Sequence, residues 1–256
     1  MRLDEFLFVN KYFDSRTKAK QAIERKEVFV NEKLIDKPSF NITNINAQIK
    51  IVSEVSFVSL GGYKLNHALK LFDLSVNNLI CADVGSSTGG FTNCLLNNGA
   101  KKVYSIDLND TLLHHTLKEN DKVIQIIKNA RYLMPEDFSE ELDFISADLS
   151  FISETLVLPV FVNLLKENGK AIILIKPQFE IGVKRKNKNG IVKDNKERLL
   201  CIKNVYDCAI SCGFYPLSLC AAPINKDKNV EYLMLLSKTA DRIKSFDELI
   251  NNVNFK

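Results

Sequence analysis

Strand–helix alternation over most of this 256-residue chain predicts an α/β protein, with a seven-stranded, mostly parallel sheet covered by helices on both faces. A smaller α+β unit precedes it. Two observations carry the prediction. From about residue 60, apolar runs at 79–84, 102–106, 123–127, 143–147, 170–175, 214–220 and 231–236 alternate with helical stretches at 64–72, 90–98, 110–118, 153–166 and 195–212. Residues 1–52 follow a different rhythm of short helices and a hairpin, which divides the chain into units 1–58 and 59–256.

In the first unit, Leu3, Phe6, Leu7 and Val9 mark a short helix. Ser15 caps a second, Arg16 to Arg25, which turns Ala19, Ala22 and Ile23 inward and Arg16, Lys18, Lys20 and Arg25 outward. Val28, Val30, Leu34 and Ile35 flank Asn31-Glu32 as a small hairpin. Residues 1–52 hold ten Lys/Arg against seven Asp/Glu, so the arrangement of the cations says more than their excess. A solvated helix face explains the charge as well as a nucleic-acid surface does.

Residues 83–91, Asp-Val-Gly-Ser-Ser-Thr-Gly-Gly-Phe, follow an apolar run and precede an amphipathic stretch: strand, Gly-rich turn, helix start. Glycines at 85, 89 and 90 let a flat ligand approach the backbone, and the helix start offers unpaired amides. The spacing is not the GxGxxG of dinucleotide enzymes. Asp107 closes the next apolar run, where the carboxylate of a nucleotide-binding fold holds ribose hydroxyls. Little phosphate chemistry surrounds the loop, which points to S-adenosylmethionine. The candidate donor-binding residues are Asp83, Gly85, Ser86, Ser87, Thr88, Gly89, Gly90, Phe91, Asp107 and Asp148. A tight turn in some other α/β protein is the plainer alternative.

Four charges fall at the ends of consecutive elements, where open α/β sheets place their sites: Lys64, which opens the helix before the first strand, Asp148, Lys176 and Glu231. Lys176 directly follows an apolar strand, which is costly unless the charge is paired or functional. Each charge taken alone could be a salt-bridge partner. The four together are harder to dismiss. After Lys176 the chain is most basic, with nine Lys/Arg against three Asp/Glu from 176 to 203, and Lys184, Arg185, Lys186 and Lys188 read as a loop able to meet phosphates.

The last two strands flank a Lys-, Asn- and Asp-rich hairpin, as an antiparallel edge requires, and residues 237–256 are expected as an exposed helix or frayed tail. Six cysteines show no CxxC spacing and no pairing with the three histidines, which points to reduced thiols and no metal. The uncharged stretch Cys208 to Asn225 is divided by Gly213, Pro216 and Pro223 and is read as helix end, turn and strand, not as a membrane span. The first residues lack a signal peptide's apolar core, and a net charge of +4 permits nucleic acid without demanding it. A cytoplasmic location is expected.

Arg2-Leu3-Asp4, Ser15-Arg16-x-x-Ala19, Ile23, Val28-Phe29-Val30-Asn31 and Lys37-Pro38-Ser39 resemble the S4-like RNA-binding domain. Lys26 and Glu32 stand where that family commonly has glycine in its turns, so local departures are expected there. From Arg2 to about Leu236 the chain resembles the TlyA (hemolysin A) family, in which the S4-like domain precedes an FtsJ-type, Rossmann-like methyltransferase domain. The carriers are Gly61-Gly62-x-Lys64-Leu65, the 83–92 loop, Asp148-Leu149-Ser150-Phe151-Ile152-Ser153, Lys176-Pro177-Gln178-Phe179-Glu180 and Gly190-Ile191-Val192-x-Asp194. Ser86 replaces a frequent alanine, and Leu60 an arginine that often precedes the two glycines.

The resemblance implies methyl transfer from S-adenosylmethionine to the ribose 2′-hydroxyl of a cytidine in bacterial ribosomal RNA, of the large subunit and in some members also the small one. The chain's compact ends favour the large subunit alone. Lys64, Asp148, Lys176 and Glu231 take the places of the family's catalytic tetrad. Lys176 is the expected base, with Lys64 lowering its proton affinity and the two carboxylates orienting both ammonium groups. Arg2, Arg16, Lys18, Lys20, Arg25, Lys184, Arg185 and Lys186 are the expected RNA contacts. Two other classes compete. A membrane-active cytolysin lacks support from any signal peptide, clean membrane span or amphipathic basic helix with aromatic anchors. A non-catalytic RNA-binding protein would not need the four charges and the whole glycine loop.

Overall fold

The computed structural model describes residues 1–13, 15–44, 47–52, 57–181, 190–223, 229–239, 242–251 and 253. The chain divides into two compact units, Met1–Ser56 and Phe57–Lys256.

In the first unit, helices α1 (Leu3–Val9) and α2 (Arg16–Glu24) pack on each other beside a three-stranded antiparallel sheet. Its order is β2-β1-β3, formed by β1 (Val28–Val30), β2 (Lys33–Leu34) and β3 (Ile49–Ile51). The third strand was not legible in so short an alternation. Ser15 Oγ accepts from the Lys18 amide at 3.2 Å, as the capping pattern requires, and Leu3, Leu7, Ala19, Ala22, Ile23 and Val28 are buried. Lys26 and Glu32 adopt φ of +63° and +64°, so the turns keep a left-handed backbone without glycine, at a cost of about 1 kcal/mol each. Buried Asp4 receives Arg2 at 3.0 Å and Arg16 at 3.1 Å, which ties the start of α1 to the start of α2.

The second unit is built on a seven-stranded sheet of order β6-β5-β4-β7-β8-β10-β9. The strands are β4 (Ile80–Val84), β5 (Lys102–Asp107), β6 (Val123–Ile127), β7 (Leu142–Ala147), β8 (Leu165–Ile175), β9 (Tyr215–Ala221) and β10 (Tyr232–Ser237). The first five are parallel, and β10 runs antiparallel between β8 and β9. Helices α3 (Leu60–Leu71), α4 (Gly90–Asn97) and α8 (Asn195–Ser211) follow the expected stretches closely.

Two helices are shorter than their hydrophobic spacing predicts. The 110–118 stretch is helical only as α5 (His115–Lys118), because Asn109 accepts from both the amide and hydroxyl of Thr111 and closes a turn instead. The 153–166 stretch splits into a 3₁₀ turn (Glu154–Leu156) and α6 (Leu158–Leu164), with Pro159 in the first turn of the latter. The expected exposed tail is corrected too. Helix α9 (Phe246–Ile250) carries Leu249 into the main core, and Val253 follows it there. Cys208 to Pro223 is a helix end, turn and strand, and no cysteine forms a disulfide.

Register fixes where chemistry can gather. Val84 pairs with Ala147, Ala147 with Ile173, and Ile175 with Tyr232. The carboxyl ends of β4, β7 and β8 and the start of β10 therefore lie in one row. Gly85, Asp148, Lys176 and Glu231 are the residues just beyond them.

Candidate active site

The glycine loop is held in place by β7. The Asp148 amide donates to the Val84 carbonyl at 3.0 Å, while Gly85 adopts φ +82° and a Cβ there would stand 2.7 Å from the Asp148 carbonyl oxygen. Gly85 and Ser86 amides both donate to the Ile106 carbonyl, at 2.9 and 3.0 Å. At Gly90 the constraint is packing, since a Cβ would meet Ser59 Oγ at 2.2 Å and the Gly62 amide at 2.9 Å. Part of the glycine pattern thus lets α3 and α4 approach, which carries Lys64 toward the strand ends.

Asp83, Gly85, Ser86, Ser87, Thr88, Gly90, Phe91 and Asp148 line one cavity with Ser59, Gly61, Ser150 and Lys176. Gly89 and Asp107 do not line it. Asp107 accepts from the Ser87 amide at 2.8 Å and the Leu108 amide at 2.7 Å, so it braces the loop. Asp83 is fully buried, and its Oδ2 accepts from the Thr92 amide (2.7 Å) and hydroxyl (2.6 Å). Its Oδ1 has no hydrogen-bond partner among the described residues. Burial pushes this carboxyl up to about 7 despite the bonds from Thr92.

Lys64 of α3 and the three strand-end charges form two ion pairs. Lys176 Nζ lies 2.5 Å from Asp148 Oδ1 and donates to Ser150 Oγ at 2.9 Å. Lys64 Nζ lies 2.6 Å from Glu231 Oε2, and Gln178 Nε2 donates to Glu231 Oε1 at 3.2 Å. Gln178 thereby links the second pair to the turn that carries Lys176. The Lys176 side chain is only 9% exposed, so an unpaired ammonium there would be costly.

Ser150, Gln178, Phe151 and Phe179 received no role from sequence reasoning. Phe151 is 90% exposed and left-handed at φ +65°, a strained state for a bulky residue. Its ring packs 5.0 Å from that of Phe179, which in turn lies 5.8 Å from Lys176 Nζ. A large aromatic inside a strand-end loop was the available signal.

Residues 57–238 match the FtsJ-like methyltransferase family, and residues 1–49 match the S4 domain. The chain belongs to the FtsJ-like methyltransferases. It is 38% identical over 236 residues to hemolysin A of Brachyspira hyodysenteriae, covering 91% of this chain and 98% of the relative. It is 34% identical over 234 residues to the 16S/23S rRNA (cytidine-2′-O)-methyltransferase TlyA of Mycobacterium tuberculosis, covering 90% and 87%. A solved hemolysin structure from Streptococcus thermophilus matches with a TM-score of 0.72 at 35% identity, covering 98% of this chain and 94% of that one. These matches make this FtsJ-like methyltransferase a TlyA-family member with an S4 domain.

In the S4 unit of this methyltransferase, Arg2 and Arg16 spend one side of each guanidinium on Asp4 and keep side chains 48% exposed. Against burial, which alone would raise it, their hydrogen bonds hold the Asp4 carboxyl down at about 2. Arg25 pairs with Glu27 at 2.7 Å, and Lys20 lies 3.8 Å from Glu24. Lys18 is half-buried on the same helix. Lys184, Arg185 and Lys186 lie outside the described residues. Among the described residues no His, Cys, Asp and Glu group is arranged to hold a metal ion.

The raised Asp83 carboxyl has a consequence for stability. The folded chain keeps this proton better than the unfolded one, so stability falls as pH rises from 3.8 through about 7. Asp83→Asn removes that slope. Its urea midpoint relative to the parent should climb across this window and level off above it. A gap independent of pH would mean that Asp83 is ionised in the fold.

Proposed function

We propose that this chain transfers a methyl group from S-adenosylmethionine to the ribose 2′-hydroxyl of a cytidine in ribosomal RNA. The observation that carries the reading is Lys176, paired with Asp148, on the wall of the cavity whose floor is the glycine loop. The donor fits what lines that cavity. Gly85 lines it without a side chain, Asp83 Oδ1 lacks a partner among the described residues, and the one cation among the described lining residues is already paired, which leaves nothing there to neutralise a pyrophosphate. Asp83 and Asp148 would hold the donor's polar groups, and Asp107, at the end of β5, would hold the loop that receives them through the Ser87 amide.

S-adenosylmethionine supplies a methyl group already activated on a sulfonium. The chain's own task is to aim a weakly acidic hydroxyl at it and to handle the proton. Lys176 Nζ is the group placed to take that proton, while Asp148 and Ser150 fix its position. Lys64, oriented by Glu231, adds positive charge for the developing oxyanion. Phe151, backed by Phe179, offers a stacking face for a base turned out of its helix. The cations of the S4 unit and the 184–186 segment meet RNA phosphates, which position the substrate without reading sequence. The cytidine and the ribosomal RNA are taken from the relative's name, and no helix among the described residues is long and apolar enough to cross a membrane.

Three measurements test this. Gly85→Val should abolish S-adenosylmethionine binding by calorimetry, because its side chain would strike the Asp148 carbonyl. Binding at parental affinity would refute the loop's role.

Lys18→Glu with Lys20→Glu should weaken ribosomal RNA binding and flatten its salt dependence while donor affinity holds. Arg16 is left in place because buried Asp4 depends on it. Unchanged RNA affinity would remove the S4 helix from the interface.

Lys176→Ala should lower single-turnover methylation of ribosomal RNA by about 10²–10⁴-fold with donor binding intact. Lys176→Arg should restore little, because a guanidinium keeps its proton. Recovery of most of the rate by arginine would make the role electrostatic.

A further inference from the structure

Two carboxyl groups, Glu154 buried and Glu180 half-buried, lie behind Lys176, and the proposed transfer uses neither. Glu154 is 1% exposed in the 3₁₀ turn that follows the 148–153 loop, and Glu180 ends the short helix α7 (Pro177–Glu180) that follows Lys176. Glu180 accepts from Ser153 Oγ at 2.5 Å through one oxygen and from the Glu154 amide at 2.9 Å through the other. The buried Glu154 carboxyl lies behind the same loop, and its Oε2 has no partner among the described residues. Glu180 therefore ties down the far end of the loop, while Lys176 holds its near end through Asp148 and Ser150. Between these ties stand Ser150, which receives Lys176, and Phe151 in its strained conformation.

We propose that Glu154 and Glu180 are positioning residues for methyl transfer, a two-carboxyl brace that holds the 148–153 loop against the 176–180 turn and so keeps Asp148, Ser150 and Phe151 aligned on Lys176. The inference rests on Lys176 being the reacting lysine. An isolated αL phenylalanine relaxes unless its surroundings over-determine it, and the ties on both sides supply that. The pair's protonation fits the geometry. Burial raises both carboxyls, and Glu154 is raised further by Glu180 and Asp148 against the pull of Lys176. From α8, Cys208 Sγ meets the Thr155 carbonyl beside Glu154 at 3.5 Å. Two donors are aimed at the Glu180 carboxyl, whereas Glu154 Oε2 has none among the described residues.

The test combines single-turnover methylation of ribosomal RNA, donor binding by calorimetry and amide hydrogen exchange on the full chain. Glu180→Ala and Glu154→Ala should slow transfer by about 10²-fold, the size of effect a misplacement near 1 Å produces, with donor affinity within twofold. Glu154→Gln, the shape of the neutral acid, should recover most of that loss. Ser153→Ala removes the tie to Glu180 and the cap on the Thr155 amide, and nothing from the core. It should speed exchange at 148–153 but not at 84–90 and cost several-fold in rate, so the inference stays testable even if the glutamate variants fail to fold. A parental rate in Ser153→Ala and Glu180→Ala overturns the brace, as does donor affinity lost in step with rate. So does a Glu154→Gln variant as slow as Glu154→Ala. Exchange does not pass through methylation. Failure of the transfer reading leaves the parent without ribose methylation while Ser153→Ala still loosens the loop, whereas failure of the brace leaves the parent active and the loop's exchange unchanged.

Discussion

The alignment of strand ends in the seven-stranded sheet is the constraint on which everything else rests. Each parallel strand delivers its last residue to one edge, and β10, inserted antiparallel beside β8, delivers its first residue to the same edge through the Ile175–Tyr232 pairing. A one-residue slip in that pairing would turn the side chains of β10 to the opposite face and take Glu231 away from Lys64. Both faces are buried, and β10 is inaccessible along its whole length, so such a slip would also force apolar groups out of the core.

Buried carboxylates organise both units, but with opposite electrostatic outcomes. Asp4 is met by two guanidinium groups and stays charged far into acid, which makes it a rigid anchor for the first helices. Asp83 is met by one threonine, and its environment does not compensate a full charge. The difference follows function. A structural anchor is complete by itself, whereas a residue on a ligand cavity retains capacity for something that arrives later.

The fold was largely legible because its strands are apolar runs of ordinary length, and their ends were placed within a few residues for all but β8. That strand begins five residues early, at Leu165, because the pairing skips from Leu142–Leu165 to Phe144–Lys170 across an irregular stretch that has no apolar pattern. The helices at 110–118 and 153–166 misled for a related reason. Periodicity counts apolar positions, but Asn109 and Pro159 decide locally where the backbone turns. At the site, Lys64, Asp148, Lys176 and Glu231 stood out as charges beside apolar strands. Their division into two pairs did not, because pairing depends on strand order. Glu154 and Glu180 were illegible as a pair for the same reason, being ordinary glutamates until two loops are stacked. Glycine 90 carried a mixed signal, since its small size serves the contact with α3 as much as any ligand.

The Lys64–Glu231 pair joins residues 167 positions apart. Synthesis proceeds from the amino end, so a nascent chain holds Lys64, the glycine loop, Asp148 and Lys176 well before the strand bearing Glu231 has left the ribosomal tunnel. At that stage β8 has an open edge, and the second lysine lacks its counter-ion. Every intermediate length therefore leaves Lys64 unpaired with Glu231, and the stretch that opens the last described strand is the one that closes the pair.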